Sequence, residues 1–266
     1  MPLSFEGNGT VSAQRAQFAD SGYLVLPGLL PESLVERLVP EVDHWIDAGL
    51  RTRSIAACVD PGPDDDPPIM ELELPAHGEL LTHEPLLEAV GDLMGASFVF
   101  HHLHSARHDP GAPGKPWHHD YEPNDIGDPS LLMVHALHYL GGLDGTVGNL
   151  TVLPGSHRDE LRARASYAEL GTAELPGEVV IDRLPPGSTV LVNSQLLHAR
   201  RAAPSPPGAT TRYFVDASYC QTGARWRPVK PYWRHMLATA RALELDGGRW
   251  PELFAERHFT EYARSA

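Results

Sequence analysis

A chain of 266 residues, 42% hydrophobic and 21% charged, has the make-up of an ordinary globular protein, with length enough to bury a full core in one domain spanning residues 1–266. Its formal charge of −14 argues against non-specific binding to nucleic acid or to an anionic membrane, both of which require a basic surface. Two cysteines, Cys58 and Cys220, cannot build a disulfide framework, and no apolar run approaches a membrane span or follows a basic leader, so a reducing, cytoplasmic setting is expected.

Residues 1–15 are small and polar and read as a loose arm. A short helix is expected over residues 14–20, ended by Ser21-Gly22, followed by a brief strand, Tyr23-Leu24-Val25-Leu26, stopped by Pro27-Gly28. Pro31-Glu32-Ser33 opens a second helix, in which Leu34, Leu38, Val42 and Ile46 recur at helical spacing. Residues 59–68 form an acidic, proline-rich stretch. Its three adjacent aspartates lack the glycine and glutamate spacing of a calcium loop, so a solvated loop is the reading. A third helix is expected from Pro85 to Met94, closed by Gly95.

From Phe98 the character changes. Residues 98–107 are strand-like with His102 and His104 on one face, and His101 and His102 read as part of a strand lining a polar cavity. Residues 109–114 are turn chemistry. Residues 131–140 read as a strand that continues through Gly141-Gly142 and Asp144-Gly145 into residues 149–153, a hairpin pattern ended by Pro154-Gly155-Ser156-His157. A polar, partly helical excursion covers residues 158–178. Strands follow at Val179-Val180-Ile181, at Thr189-Val190-Leu191-Val192 leading to Leu197-His198, and at residues 211–218. Many short strands with Gly/Pro turns between residues 98 and 220 favour a barrel or sandwich, mainly β with flanking helices. The tail from Pro231 reads as helical, with Trp233, Met236, Leu237 and Ala240 on one side and Trp250-Pro251-Glu252 starting a last helix. Arg225, Arg227, Lys230 and Arg234 read as a solvated basic face.

The chemistry concentrates in Trp117-His118-His119-Asp120-Tyr121. His118 and Asp120 stand two residues apart, on one face of a strand, and a distant imidazole such as His198 can complete a two-histidine, one-carboxylate triad. Such a set binds one face of ferrous iron and leaves the other positions open. With 15 histidines in the chain, that spacing decides nothing alone. His104 is a further candidate, because the loop after its strand brings it towards the same place.

Several ordered segments resemble the phytanoyl-CoA dioxygenase family of iron(II)/2-oxoglutarate oxygenases. Residues 18–30 look like that family's opening; Trp117-His118-His119-Asp120 matches its tryptophan, histidine, variable residue, aspartate motif. Residues 140–157 match its strand, turn and Pro-Gly-Ser-His element, and Pro186-Gly187-Ser188 through His198 to Arg212-Tyr213 matches its distal histidine and downstream arginine. The resemblance spans residues 17–220 and implies a jelly-roll, cupin-like double-stranded β-helix with iron in its mouth. It implies His118, Asp120 and His198 as the metal ligands and catalytic centre, His118 rather than His119 because His119 points away from Asp120. It implies Arg212 as the clamp on the distal carboxylate of 2-oxoglutarate, with Arg200 and Arg201 as rivals, and a strand that lies beside that of His198. Relatives place the arginine a little nearer and carry an asparagine in the loop where Pro204-Ser205-Pro206-Pro207 stands here.

The activity that the resemblance implies is oxidation of a small molecule by O2, with 2-oxoglutarate decarboxylated to succinate. Halogenating relatives lack the carboxylate that Asp120 supplies here, so hydroxylation or desaturation is implied. His157 reads as a turn residue, Trp117 and Tyr121 as packing around the ligands, and Leu137 stands where some relatives carry a larger co-substrate contact. A natural-product or amino-acid-like substrate is expected, with the chain a monomer or homodimer. The rivals are a cupin-type metal-dependent isomerase or hydrolase, against which Arg212 argues, and a catalytically silent jelly-roll binding protein.

Overall fold

The structure, a computed structural model, describes residues 12–59, 68–95, 97–158, 167–203 and 206–263. The acidic stretch at residues 60–67, most of the arm before residue 12 and part of the excursion at 159–166 lie outside the described residues.

The chain begins with α1 (Ala13–Ser21), capped at its start by the Ser12 hydroxyl accepting from the Arg15 amide and at its end by Gly22 at φ +84°. β1 (Tyr23–Leu26) and α2 (Glu32–Asp47) follow as expected. The apolar stripe of α2 is Leu34, Leu38, Val42 and Trp45, all buried, while Ile46 is half-buried. Each such side chain contributes about 1.5–3 kcal/mol by leaving water. Two helices that periodicity did not announce come next, α3 (Leu50–Val59) and the seven-residue α4 (Pro75–Leu81), then α5 (Glu84–Met94), closed by Gly95 at φ +85°.

The strands are β2 (Phe98–His108), β3 (Lys115–His118), β4 (Met133–Tyr139), β5 (Leu143–Asp144), β6 (Leu150–Val152), β7 (Val179–Ile181), β8 (Arg183–Leu184), β9 (Ser188–Asn193), β10 (His198–Arg200) and β11 (Arg212–Gln221). They form a five-stranded antiparallel sheet in the order β1-β9-β4-β11-β2 and a four-stranded antiparallel sheet in the order β3-β10-β6-β7. From β2 onward the chain passes repeatedly from one sheet to the other, which is the winding of a jelly roll. The expected hairpin between residues 131–140 and 149–153 is therefore not formed. β4 and β6 lie in opposite sheets, and β5 between them pairs with β8 instead. Gly142, at φ +75°, makes the crossing possible: a Cβ there would meet the Leu184 carbonyl oxygen at 2.3 Å.

Period-two alternation sorts the strand residues. Val134, Ala136, Leu191, Val215 and Ala217 join the helices in one core, while Leu137, Tyr139, Val190 and Val192 face the space between the sheets. After β11 the chain forms α6 (Trp233–Ala242), burying Trp233, Met236, Leu237 and Ala240. The last helix expected at Trp250 does not form. Residues 251–254 are turns held to the sheet by the Phe100 amide donating to the Leu253 carbonyl, with a single 3-10 turn at Glu256–His258.

Gly187 joins the layers at the turn before β9. It stands at φ +71°; its amide donates to the carbonyls of Tyr139 and Leu140, and its carbonyl accepts from Leu30. A Cβ would sit 2.5 Å from the Leu30 oxygen. Gly187→Ala is expected to cost more than about 2 kcal/mol, read as a fall in Tm of at least about 4 °C by calorimetry.

Candidate active site

β3 and β10 bring the sequence motif to a point. They are paired so that His118 stands opposite His198, and the two imidazole centroids are 4.1 Å apart. The chain leaves β3 after His118, and the Asp120 amide donates to the Ser194 carbonyl, which turns the carboxylate back towards both rings. His198 Nε2 lies 3.1 Å from Asp120 Oδ2, and His118 Nε2 lies 3.6 Å from Oδ1. Ligand atoms of all three residues fall within 4.8 Å of one another, and no other such group of three occurs among the described residues.

The second nitrogen of each ring fixes its orientation. His118 Nδ1–H donates to the Pro116 carbonyl at 2.7 Å, and His198 Nδ1–H donates to the Leu196 carbonyl at 3.0 Å. A carbonyl can only accept, so in a neutral ring both Nε2 atoms carry the lone pair that a metal takes. Burial, and then the charge of His198, press the His118 pKa down to about 3, which keeps that ring neutral. Burial works to raise the Asp120 carboxyl, but the charge and hydrogen bond of His198 outweigh it and hold Asp120 well below the usual carboxylate range. His118 Nε2 is buried with no hydrogen-bond partner among the described residues. Two imidazole nitrogens and an ionised carboxylate converging in this way fit a divalent cation with open positions, which would take the place of the hydrogen bond between His198 Nε2 and Asp120.

These residues open on a cavity of about 390 Å³ between the sheets. Arg212 lines it too, but not from the position expected: β11 pairs with β2 and β4, so Arg212 reaches the cavity from the sheet facing His198 rather than from the neighbouring strand. Successive strands of a jelly roll change sheets, so nearness in sequence becomes apposition across the cavity. Arg212 is 6% exposed, its guanidinium lies 4.9 Å over the Tyr139 ring and 5.5 Å over the Phe214 ring, and Nη1 donates to the Asn149 carbonyl at 3.2 Å. Burial lowers its pKa, and among the described residues Nε has no partner and no carboxylate pairs with it. A buried guanidinium so placed fits an incoming anion.

Of its two rivals, Arg201 is spoken for by Glu178 at 2.5 Å, whereas Arg200 lines the cavity beside Arg212. Burial and the charge of Arg212 bring Arg200 down to about 10. Its position two residues after His198, on the same face of a strand, was the available signal. His104 lines the cavity with Nδ1 buried and unpartnered, and burial takes its pKa to about 3. Its strand neighbour Ser105 is held from behind: its amide donates to Glu71 Oε1 and its carbonyl accepts from Arg51, which fixes the direction in which His104 points.

His102 lines the cavity as expected. His101 does not; it faces the tail, where Nε2–H donates to the Arg227 carbonyl and the ring stacks on Phe259. Among the basic residues near the C-terminus, Arg225 pairs with Asp125 and Arg234 with Glu261 on the exposed surface, but Lys230 turns inward and lines the cavity. His157 bonds the Ala19 carbonyl and ties its turn to α1. Trp117 is buried with its indole donating to the Ala173 carbonyl, and Tyr121 packs edge-on against Trp226.

Sequence reasoning passed over His135 and Asp216. Each Asp216 oxygen is 3.0 Å from His135 Nδ1. Burial would lower the His135 pKa, but the Asp216 charge and hydrogen bonds carry it up to about 9. The folded value stands above the ordinary one of about 6.5, so the stabilisation is complete below that pH and is lost as pH rises through about 9. The gap corresponds to on the order of 3 kcal/mol. Tm is expected to fall between pH 7 and 9.5 in the wild type and to fall less in Asp216→Asn, measured by calorimetry across that range.

The fold and the site together define a jelly-roll protein with a two-histidine, one-carboxylate constellation at the wall of a polar cavity. Residues 18–206 match the model of the phytanoyl-CoA dioxygenase (PhyH) family, and the chain belongs to that family. No curated protein matches it. Among solved structures it is similar to HygX from Streptomyces hygroscopicus with nickel and 2-oxoglutarate bound, at 21% identity and TM-score 0.60, over 81% of this chain and 88% of that one. It is also similar to the non-heme alpha ketoglutarate dependent epimerase SnoN from nogalamycin biosynthesis, at 18% identity and TM-score 0.59 over 81% and 84% of the two chains. A third, the carbocyclase SnoK from the same biosynthesis, stands at 15% identity and TM-score 0.56 over 83% and 87%. At these identities the likeness is one of fold, and it agrees with the mainly β jelly roll with flanking helices. Among the described residues no helix is long and apolar enough to cross a membrane.

Proposed function

We propose that this chain is an iron(II)/2-oxoglutarate-dependent dioxygenase that hydroxylates or desaturates a small molecule. The observation that carries the reading is the convergence of the two Nε2 atoms and Asp120 on one point of a cavity whose far end holds Arg212 without an acidic partner. His118, Asp120 and His198 would hold the iron. Arg212, with Arg200 facing it from the other sheet, would hold the distal carboxylate of 2-oxoglutarate, and His104, on β2 in the same sheet as Arg212, would touch the co-substrate. When bound, iron with 2-oxoglutarate and O2 supplies an oxidant strong enough to take hydrogen from carbon; the protein supplies placement. The carbonyl contacts at Nδ1 keep both rings turned to the metal position, and Tyr139 and Phe214 hold the guanidinium.

Family membership and the nickel and 2-oxoglutarate bound by HygX support the cofactors. HygX with hygromycin B, SnoN and SnoK support a natural product as the substrate class. The retained Asp120 supports oxygen insertion or desaturation over halogenation, and the unpaired Arg212 supports a diacid co-substrate over cupin-type isomerisation or hydrolysis. The test is succinate release by purified protein with iron(II), 2-oxoglutarate and O2, with mass spectrometry of candidate metabolites. Hydroxylation adds one oxygen atom to the product and desaturation removes two hydrogens. Substrate turnover without 2-oxoglutarate consumption would favour the hydrolase, and neither would favour the silent binding protein.

A further inference from the structure

The cavity carries a second polar cluster that the oxygenase reading does not use. His135 on β4 is 3% exposed and lines the cavity. Its Nδ1 is taken by Asp216, so the opposite edge of the ring presents Nε2, buried and without a partner among the described residues. Asp216 is steadied from its other side by His102, whose Nε2 is 4.0 Å away and whose Nδ1 is held by the Ser218 hydroxyl at 2.7 Å. A buried nitrogen left unpaired costs about 1–3 kcal/mol. A ligand oxygen would remove that cost.

Two molecules could bring an acceptor oxygen, the co-substrate or the substrate. Arg212 and Asp216 are four residues apart on β11, about 13 Å along the strand. The end carbons of a five-carbon diacid stand only about 5 Å apart. Asp120 lies towards His135, since its amide bonds to Ser194, whose own amide bonds to Met133 at the start of β4. A co-substrate with its far carboxylate on Arg212 therefore leaves the His135 end for the molecule being oxidised. Lys230 and Glu122 make that end polar.

We propose that His135, oriented by Asp216, is a substrate-binding residue whose Nε2 hydrogen-bonds an oxygen of a polar, oxygen-rich small molecule, and that the site does not take a fatty acyl thioester. The proposal rests on the oxygenase function proposed for the chain. An Nε2 that carries a proton at neutral pH is consistent with the raised pKa of His135.

The test has two arms on the iron(II)-loaded full chain. Anaerobic calorimetry gives the affinity for 2-oxoglutarate. Succinate release, above the probe-free background, is then followed with a panel of sugar acids, hexosamines and aminocyclitols and with palmitoyl-CoA. At least one polar compound should stimulate the wild type and palmitoyl-CoA should not. His135→Phe should raise KM for that compound about tenfold or more; His135→Gln, which keeps an N–H, should recover part of it. Asp216→Asn should raise the same KM, and it carries the comparison if His135→Phe does not fold. In each variant the 2-oxoglutarate affinity should stay within about threefold. An unchanged KM, a tenfold loss of 2-oxoglutarate affinity, stimulation by palmitoyl-CoA, or a wild type that turns over 2-oxoglutarate but responds to no polar probe would each overturn the assignment of His135. Absence of both 2-oxoglutarate binding and succinate formation is a different result, and it sinks the oxygenase reading instead.

Discussion

Asp120→Asn is expected to remove iron retention and 2-oxoglutarate turnover while leaving the fold in place. The substitution keeps the shape of the side chain and deletes one charge. In the native site that charge faces two imidazoles at 3.1 and 3.6 Å and is the sole carboxylate of the set. An amide oxygen is a far poorer partner for a divalent cation than an ionised carboxylate, and the amide nitrogen would turn a donor towards the metal position. Loss of residues that only orient metal ligands costs 10–100-fold, so loss of a ligand should cost on the order of 1,000-fold in turnover, about 4 kcal/mol. Iron content after dialysis and succinate release measure the effect. Circular dichroism should be unchanged, because Asp120 sits at the cavity wall and its backbone amide still bonds Ser194. A variant that keeps iron and wild-type turnover would show that the ion is held elsewhere.

The parts of this site that could be read from the sequence are those that a local period encodes. His118 and Asp120 share a face because strand side chains alternate, and the stripe of α2 repeats with helical spacing. Which sheet a strand joins is not a local property. β4 is buried at every position because helices cover one face and the cavity wall is the other, so its sequence carries no alternation to reveal the cavity side. That hid His135, and it made a hairpin of a segment that crosses between sheets. Lys230 was hidden for a related reason. A charge run reads as solvated, and only the tertiary path of the chain after β11 turns one of its members inward. α4 left no signal because a seven-residue helix containing Pro75 and Gly78 has little room for periodicity.

Arg212→Leu should weaken 2-oxoglutarate binding by two to three orders of magnitude and leave iron binding nearly intact. Leucine keeps the apolar contact with Tyr139 and Phe214 but removes the charge that those rings hold in place. Breaking a buried, hydrogen-bonded charge pair by deleting one partner costs about 3–5 kcal/mol, which is a factor of about 100 to 1,000 or more in affinity. Arg212→Lys should recover only part of this, since an ammonium lacks the planar pair of donors that matches a carboxylate. Arg200 beside it gives the prediction a second edge. The buried guanidinium of Arg212 and the half-buried one of Arg200 repel with no acid between them, so removal of one should stabilise the co-substrate-free protein even as it weakens binding. A Tm that rises in Arg212→Leu without 2-oxoglutarate, together with a smaller shift on adding it, is the expected pair of results. If the variant binds 2-oxoglutarate as tightly as the wild type, the diacid lies elsewhere in the cavity and the assignment of its two ends must be reversed.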